Sequence, residues 1–157
     1  QTTTMSYLIS FTFLVSCCFL LAFAVKPLKV EPFSWKNCDP GSQINITSIK
    51  MTPYPPTAGK NITITTSGTY SETLSGGTVT NSIIYLGITV HSTTDSICDP
   101  PLIPSCPCPC KPGTYVSSAV TVIPEIAPAL DYTGKVVVED TNKNTLSCVT
   151  YKFSLIH

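Results

Sequence analysis

Arginine is absent from this chain, and its nine lysines are matched by nine acidic residues, so the formal net charge is zero. Without a basic stripe, or a guanidinium fork to grip phosphate or guanine, nucleic acid is a poor candidate partner. Charge of either sign is scarce, at 11% of residues, against roughly 25% in an average soluble domain. Histidine is scarcer still: His91 and His157 are the only two. There is no G-x-S-x-G, no H-E-x-x-H and no phosphate-binding glycine loop. His91, Ser92 and Asp95 could be drawn as a triad, but neighbours at a strand end and loop point in different directions. Glu139-Asp140 and Asp95/Asp99 lie in or beside turn sequence, where solvated acids are the rule. No cofactor is called for, and the sequence reads as a binding protein, not an enzyme.

Helical periodicity and internal repeats are missing too. What is present begins with an apolar run from Tyr7 to Val25 that ends in Ala22-Phe23-Ala24, the small-x-small pattern cut by signal peptidase. Residues 1–24 are therefore expected to be a leader. Gln1 is no initiator, so residues 1–4 read as upstream sequence and Met5 as the start. An uncleaved anchor is the alternative, since the run is just long enough to span a bilayer. Cleavage leaves residues 25–157, enough for a single domain with one core.

Across that domain the apolar residues alternate with a period of two. Ile44 and Ile46 alternate with Asn45 and Thr47, and Ile62 and Ile64 with Asn61, Thr63 and Thr65. Ile84, Leu86, Ile88 and Val90 share one phase. Val116, Val120 and Val122 follow, then Val136 and Val138, then Val149, Tyr151, Phe153 and Leu155. Turn chemistry falls between the runs, at Pro53-Tyr54-Pro55-Pro56, Ser75-Gly76-Gly77, Lys111-Pro112-Gly113 and Asp140–Asn144. The expected fold is all-β: an immunoglobulin-like antiparallel sandwich of two sheets. Such alternation does not separate a filled core from an open cup, and the prevalence of close packing favours the filled core.

Six cysteines follow the leader. Cys38 precedes the first strand and Cys148 lies in the last. A bridge between them would close a loop of about 110 residues and stabilise the fold by roughly 4–5 kcal/mol in the loop-entropy account. Cys98, Cys106, Cys108 and Cys110 allow three pairings, two of which need a bridge across a single proline, whose geometry fits a disulfide badly. Cys98–Cys108 with Cys106–Cys110 avoids it and is the expected pairing. A thiolate metal clamp is disfavoured by the oxidising compartment and the lack of a nearby histidine, and no C-x-x-C occurs. The sequons at Asn45 and Asn61 fall on the polar phase of their strands, so glycans there would point to water.

Three segments carry a resemblance: Phe33-Ser34-Trp35-Lys36-Asn37-Cys38-Asp39, Cys108-Pro109-Cys110-Lys111-Pro112-Gly113-Thr114-Tyr115, and Leu146-Ser147-Cys148. Together they resemble the ML lipid-recognition family, and the first is most similar to its ganglioside-activator branch. The resemblance implies a sandwich whose sheets splay apart around a lipid tail, without catalysis, and a first-to-last bridge on Cys38 and Cys148. It implies a cavity lined by Ile62, Ile64, Ile84, Leu86, Ile88, Val90, Val120, Val122, Val136, Val138, Val149, Tyr151 and Phe153.

The expected partners are a lipid ligand, a transient membrane surface, and a lysosomal glycosidase or a receptor that takes delivery, in the lysosome or outside the cell. Because the bilayer offers a tail about the same roughly 0.8 kcal/mol per CH₂ that a cavity does, extraction needs help from rim loops. The candidates are Leu102 and Ile103 in a proline-stiffened loop, Tyr54, and the Ile126–Leu130 segment. The competing reading is a disulfide-stapled adhesion or receptor-ligand module with a solid core.

Overall fold

The computed structural model describes residues 29–39, 41–99 and 106–157. The expected leader, and the rim residues Leu102 and Ile103, lie outside them. Eight strands run through the described part: β1 (Ser34–Asn37), β2 (Ile44–Thr52), β3 (Asn61–Tyr70), β4 (Thr78–Tyr85), β5 (Ile88–Ser96), β6 (Gly113–Val122), β7 (Asp131–Glu139) and β8 (Thr145–Ser154). They pair antiparallel into a five-stranded sheet, β1-β8-β7-β4-β5, and a three-stranded sheet, β2-β3-β6. The all-β sandwich expected from the alternation is what forms. β-Branched residues fill these strands because their branched Cβ atoms pack well on a pleated surface.

One strand reading needs correction. The run Ile84, Leu86, Ile88, Val90 is broken by a hairpin, with Leu86 and Gly87 at φ 48° and 81°. Positive φ at both central residues makes a two-residue hairpin turn whose twist suits the flanking strands, and glycine takes such a φ without strain. The single alternating run is thus two antiparallel strands, β4 and β5.

Register fixes which features share an end of the sandwich. Tyr70 pairs with Gly113, and Thr78 with both Ser96 and Glu139. The three disulfides among the described residues gather toward this end. Cys38–Cys148 ties the crossover between sheets to β8, with Cα atoms 5.1 Å apart; Cys98–Cys108 and Cys106–Cys110, at 5.5 and 5.1 Å, staple the connection from β5 to β6. At the opposite end, Asn61 pairs with Val122, Ile84 with Thr133, and Tyr85 with Ile88. That end holds the Leu86-Gly87 turn and the 123–130 loop.

The core is correspondingly divided. Ile44, Tyr70, Leu74, Val79, Ile97, Val138 and Leu146 pack with Cys106 and Cys110 at the stapled end. An aromatic cluster of Tyr132, Tyr151 and Phe153, with Met51, Ile62 and Leu155, fills the other. Val136 touches both clusters.

Candidate functional site: a cavity between the sheets

Between the two packed clusters the sheets do not meet, leaving a cavity of about 360 Å³. That is at the small end of the range for small-molecule pockets. Its floor consists of two consecutive rows across the five-stranded sheet. One runs Ser147, Val138, Val79, Asp95 from β8 to β5; the next runs Val149, Val136, Asn81, Thr93. The roof comes from the smaller sheet: Ile44, Ile46, Ile49 and Met51 on β2, Ile64 and Thr66 on β3, and Tyr115, Ser117, Ala119 and Thr121 on β6.

Polarity therefore changes across the strands. The β2, β7 and β8 side is aliphatic, while the two edge strands β5 and β6 bring hydroxyls and one carboxylate. β5 is exposed along all nine residues, so neither of its faces is covered.

Tyr151 closes the floor toward the aromatic cluster, and its hydroxyl donates to Asn81 Oδ1 at 3.1 Å. Burial pushes its phenol up to about 12, against a small opposing effect of that bond. Tyr70, at the stapled end, is also raised to about 12, first by burial and then by Tyr115, whose ring lies 5.4 Å away. Neither phenol is a candidate acid or base near neutral pH. Ser147, 2% exposed, sets its hydroxyl in the cavity wall, and its Oγ has no hydrogen-bond partner among the described residues. A second depression, of about 230 Å³, lies among polar loop residues of the stapled end, including Glu72, Asp140 and Thr141.

The sequence that builds this sandwich is matched by a family model. Residues 32–155 match the ML domain. The chain belongs to the ML-domain family. Among curated proteins, a putative phosphatidylglycerol/phosphatidylinositol transfer protein 2 of Dictyostelium discoideum is 37% identical over 121 residues, covering 77% of this chain and 84% of that one. A phosphatidylglycerol/phosphatidylinositol transfer protein of Mycosarcoma maydis is 25% identical, over 82% of this chain and 68% of its own. Two solved structures share the fold. A Niemann-Pick type C2 protein from the Japanese carpenter ant has TM-score 0.66 at 14% identity, covering 78% of this chain and 98% of its own. Chicken MD-1, complexed with lipid IVa, has TM-score 0.59 at 17% identity, covering 78% and 88%.

Within this ML sandwich the expected lining residues divide. Ile64, Val136, Val138, Val149 and Tyr151 face the cavity. Ile62 and Phe153 are instead packed in the aromatic cluster. Ile84 is in phase with Thr80 and Ser82, whose hydroxyls bond Thr94 and Ser92 on the outer face, so it points away. Leu86 sits at the hairpin tip, and Ile88 and Val90 on the uncovered edge strand, at 82, 69 and 54% exposure. Val120 and Val122 are exposed as well, because β6 turns its odd residues inward.

The rim candidates divide similarly. Tyr54 is a strut: its ring packs 6.0 Å from Phe33, and its hydroxyl donates to the Glu31 carbonyl and accepts from the Ser154 amide. Leu130 packs on the aromatic cluster, and Ile126, 92% exposed, projects from its loop. Asn45 and Asn61 are exposed on the outer face of the three-stranded sheet.

Sequence reasoning missed part of β2. A bulge between Ile46 and Ser48 shifts the phase, so that Ile44 and Ile46 and then Ile49 and Met51 all face in. The out-of-step spacing of Ile46 and Ile49 was the available signal. It also missed the polar members Asn81, Thr93, Asp95 and Ser117, which an apolar pattern does not mark. Ser92 is bonded on the outer face while Asp95 lines the cavity, so His91, Ser92 and Asp95 form no triad. Among the described residues, no three His, Cys, Asp or Glu side chains are grouped to hold a metal.

Proposed function

We propose that this ML-domain protein is a non-enzymatic lipid-transfer protein of the lysosomal lumen or the extracellular space. It holds the tail of a glycolipid, phospholipid or sterol between its sheets and releases it to a membrane, a glycosidase or a receptor. The cavity carries this reading: an aliphatic hollow between two otherwise packed clusters is where a hydrocarbon chain gains roughly 0.8 kcal/mol per buried CH₂. The relatives named for transfer of phosphatidylglycerol and phosphatidylinositol favour a phospholipid among the candidates. The three disulfides fit an oxidising compartment, and glycans on the exposed Asn45 and Asn61 would leave the cavity clear.

Because a bilayer holds a tail about as well as the cavity does, transfer depends on how the protein approaches the surface. Leu86, Ile88, Val90, Val120, Val122 and Ile126 are all exposed toward the unstapled end. This patch is the proposed membrane-facing side. Transfer of a labelled phospholipid between donor and acceptor vesicles tests the function. Saturable, protein-dependent transfer supports it; absence of transfer, together with no uptake of micromolar lipid, leaves the stapled adhesion module as the better account.

A further inference from the structure

The cavity is unevenly polar, and the unevenness has a direction. Its aliphatic side, on β2, β7 and β8, offers only the hydroxyls of Ser147 and Tyr151, the latter already bonded to Asn81, whereas Thr93 and Asp95 on the exposed β5 and Ser117 on β6 also line it. Among the described residues no lysine lines the cavity, and the chain contains no arginine. The Asp95 carboxylate has no hydrogen bond or ion pair with any described residue. A phosphate arriving at this edge would thus meet a like charge and no cation. A headgroup rich in hydroxyls would meet acceptor oxygens in an arrangement that takes its protons, and a hydrogen bond to an ionised acceptor is among the stronger kinds.

We propose that Asp95, with Thr93 beside it, forms a headgroup subsite on the β5 edge that selects lipids bearing a polyol (sugar, inositol or glycerol hydroxyls) over those ending in a bare phosphate. The inference rests on the lipid-holding reading above and names the substrate class of that same cavity. The tail lies against the aliphatic side, and the hydroxyls of the head donate to Asp95.

The test uses single-tailed probes of equal chain length, below micelle-forming concentration: an alkyl glucoside, an alkyl phosphate and lysophosphatidylinositol, each measured by equilibrium dialysis. Pyrene, which has no headgroup, reports on the cavity alone. The intact protein is expected to bind the glucoside about tenfold more tightly than the alkyl phosphate, the worth of one charge-assisted hydrogen bond. Asp95→Asn is expected to erase that ratio, and Asp95→Lys to reverse it. Lysophosphatidylinositol grouping with the glucoside identifies inositol phospholipids as a source of the polyol; grouping with the alkyl phosphate identifies neutral glycolipids. Equal binding of glucoside and phosphate, or a ratio unmoved by Asp95→Asn, overturns the subsite while leaving the cavity reading intact. Failure to take up any probe, pyrene included, overturns both.

Discussion

Tyr151 on β8 lies across Gly134 on β7: a Cβ added at the glycine would come within 2.0 Å of the tyrosine's Cζ. The bare backbone at 134 lets the ring lie flat over the strand and pass its hydroxyl to Asn81, two strands away from its own. This pair ends the cavity floor and begins the aromatic cluster. Gly134→Ala should therefore displace the ring and cost about 1–3 kcal/mol, the usual scale for overpacking. Denaturant unfolding, with tyrosine fluorescence as a second probe, measures it; stability equal to the parent would contradict the placement of the ring.

The disulfides of the described residues all lie toward one end, and the bridge that closes the longest loop is Cys38–Cys148, whose partners are 110 positions apart in sequence. Replacing both with serine is expected to lower stability by roughly 4–5 kcal/mol in the loop-entropy account. Opening the two short loops, Cys98–Cys108 and Cys106–Cys110, should cost less for each bridge by the same logarithm. Unfolding midpoints of the three double variants give the order.

Ser147 presents to the cavity a buried hydroxyl without a partner among the described residues. Such a group costs about 1–3 kcal/mol. Ser147→Ala is expected to raise the stability of the lipid-free protein by about 1 kcal/mol and to leave uptake of an alkyl chain equal or stronger. Weaker uptake would assign the hydroxyl a direct role in holding ligand.

Tyr70 and Tyr151 are both raised from the ordinary 10.0 to about 12, with burial the larger cause. In the unfolded chain these phenols ionise near 10, while in the folded protein they keep their protons to higher pH. Their contribution is fully present below pH 10 and is lost as the pH rises from 10 toward 12. Unfolding free energy should fall across that window, and Tyr151→Phe should flatten part of the fall. A flat profile in the parent would show that the rings are less buried than described.

Exposed Leu86 and Ile126, at the tips of two loops on the unstapled end, touch neither core cluster. The double variant Leu86→Asp/Ile126→Asp should slow vesicle-to-vesicle transfer about tenfold or more, given the cost of carrying charge into the interface, yet bind a soluble single-tailed lipid as before. Loss of both activities together would argue for damage to the cavity.

The sheet architecture was legible because β-branched residues alternate so regularly, and the cysteine pairing because prolines leave Cys98, Cys106, Cys108 and Cys110 little freedom. The orientation of individual faces was less so. On β6 the valines at 120 and 122 face solvent, while Tyr115, Ser117, Ala119 and Thr121 face the cavity. Apolar residues mark the inner face of a strand only where a solid core must be filled. A wall beside a hollow can be small and polar, and its outward valines then mimic a core stripe. In β2 the bulge after Ile46 moved the phase by one residue, which an unbroken alternation does not reveal. Gly87 read as a strand residue because no Asn-Gly or Asp-Gly preceded Ile88. The turn is made by Leu86, an uncommon residue at positive φ.

The hollow around Val136 is the feature on which the account rests, and it can be filled from within. Val136 sits mid-floor and touches both core clusters, so Val136→Phe should fold normally and take up the empty space. The decisive measurement is the stoichiometry of fluorescent fatty-acid or sterol binding by the parent and this variant, each confirmed as folded by circular dichroism. One lipid per parent molecule and a drop of tenfold or more in affinity for the variant are the predicted result. Equal binding by both, or none by the parent at micromolar lipid, would contradict a tail held between the sheets.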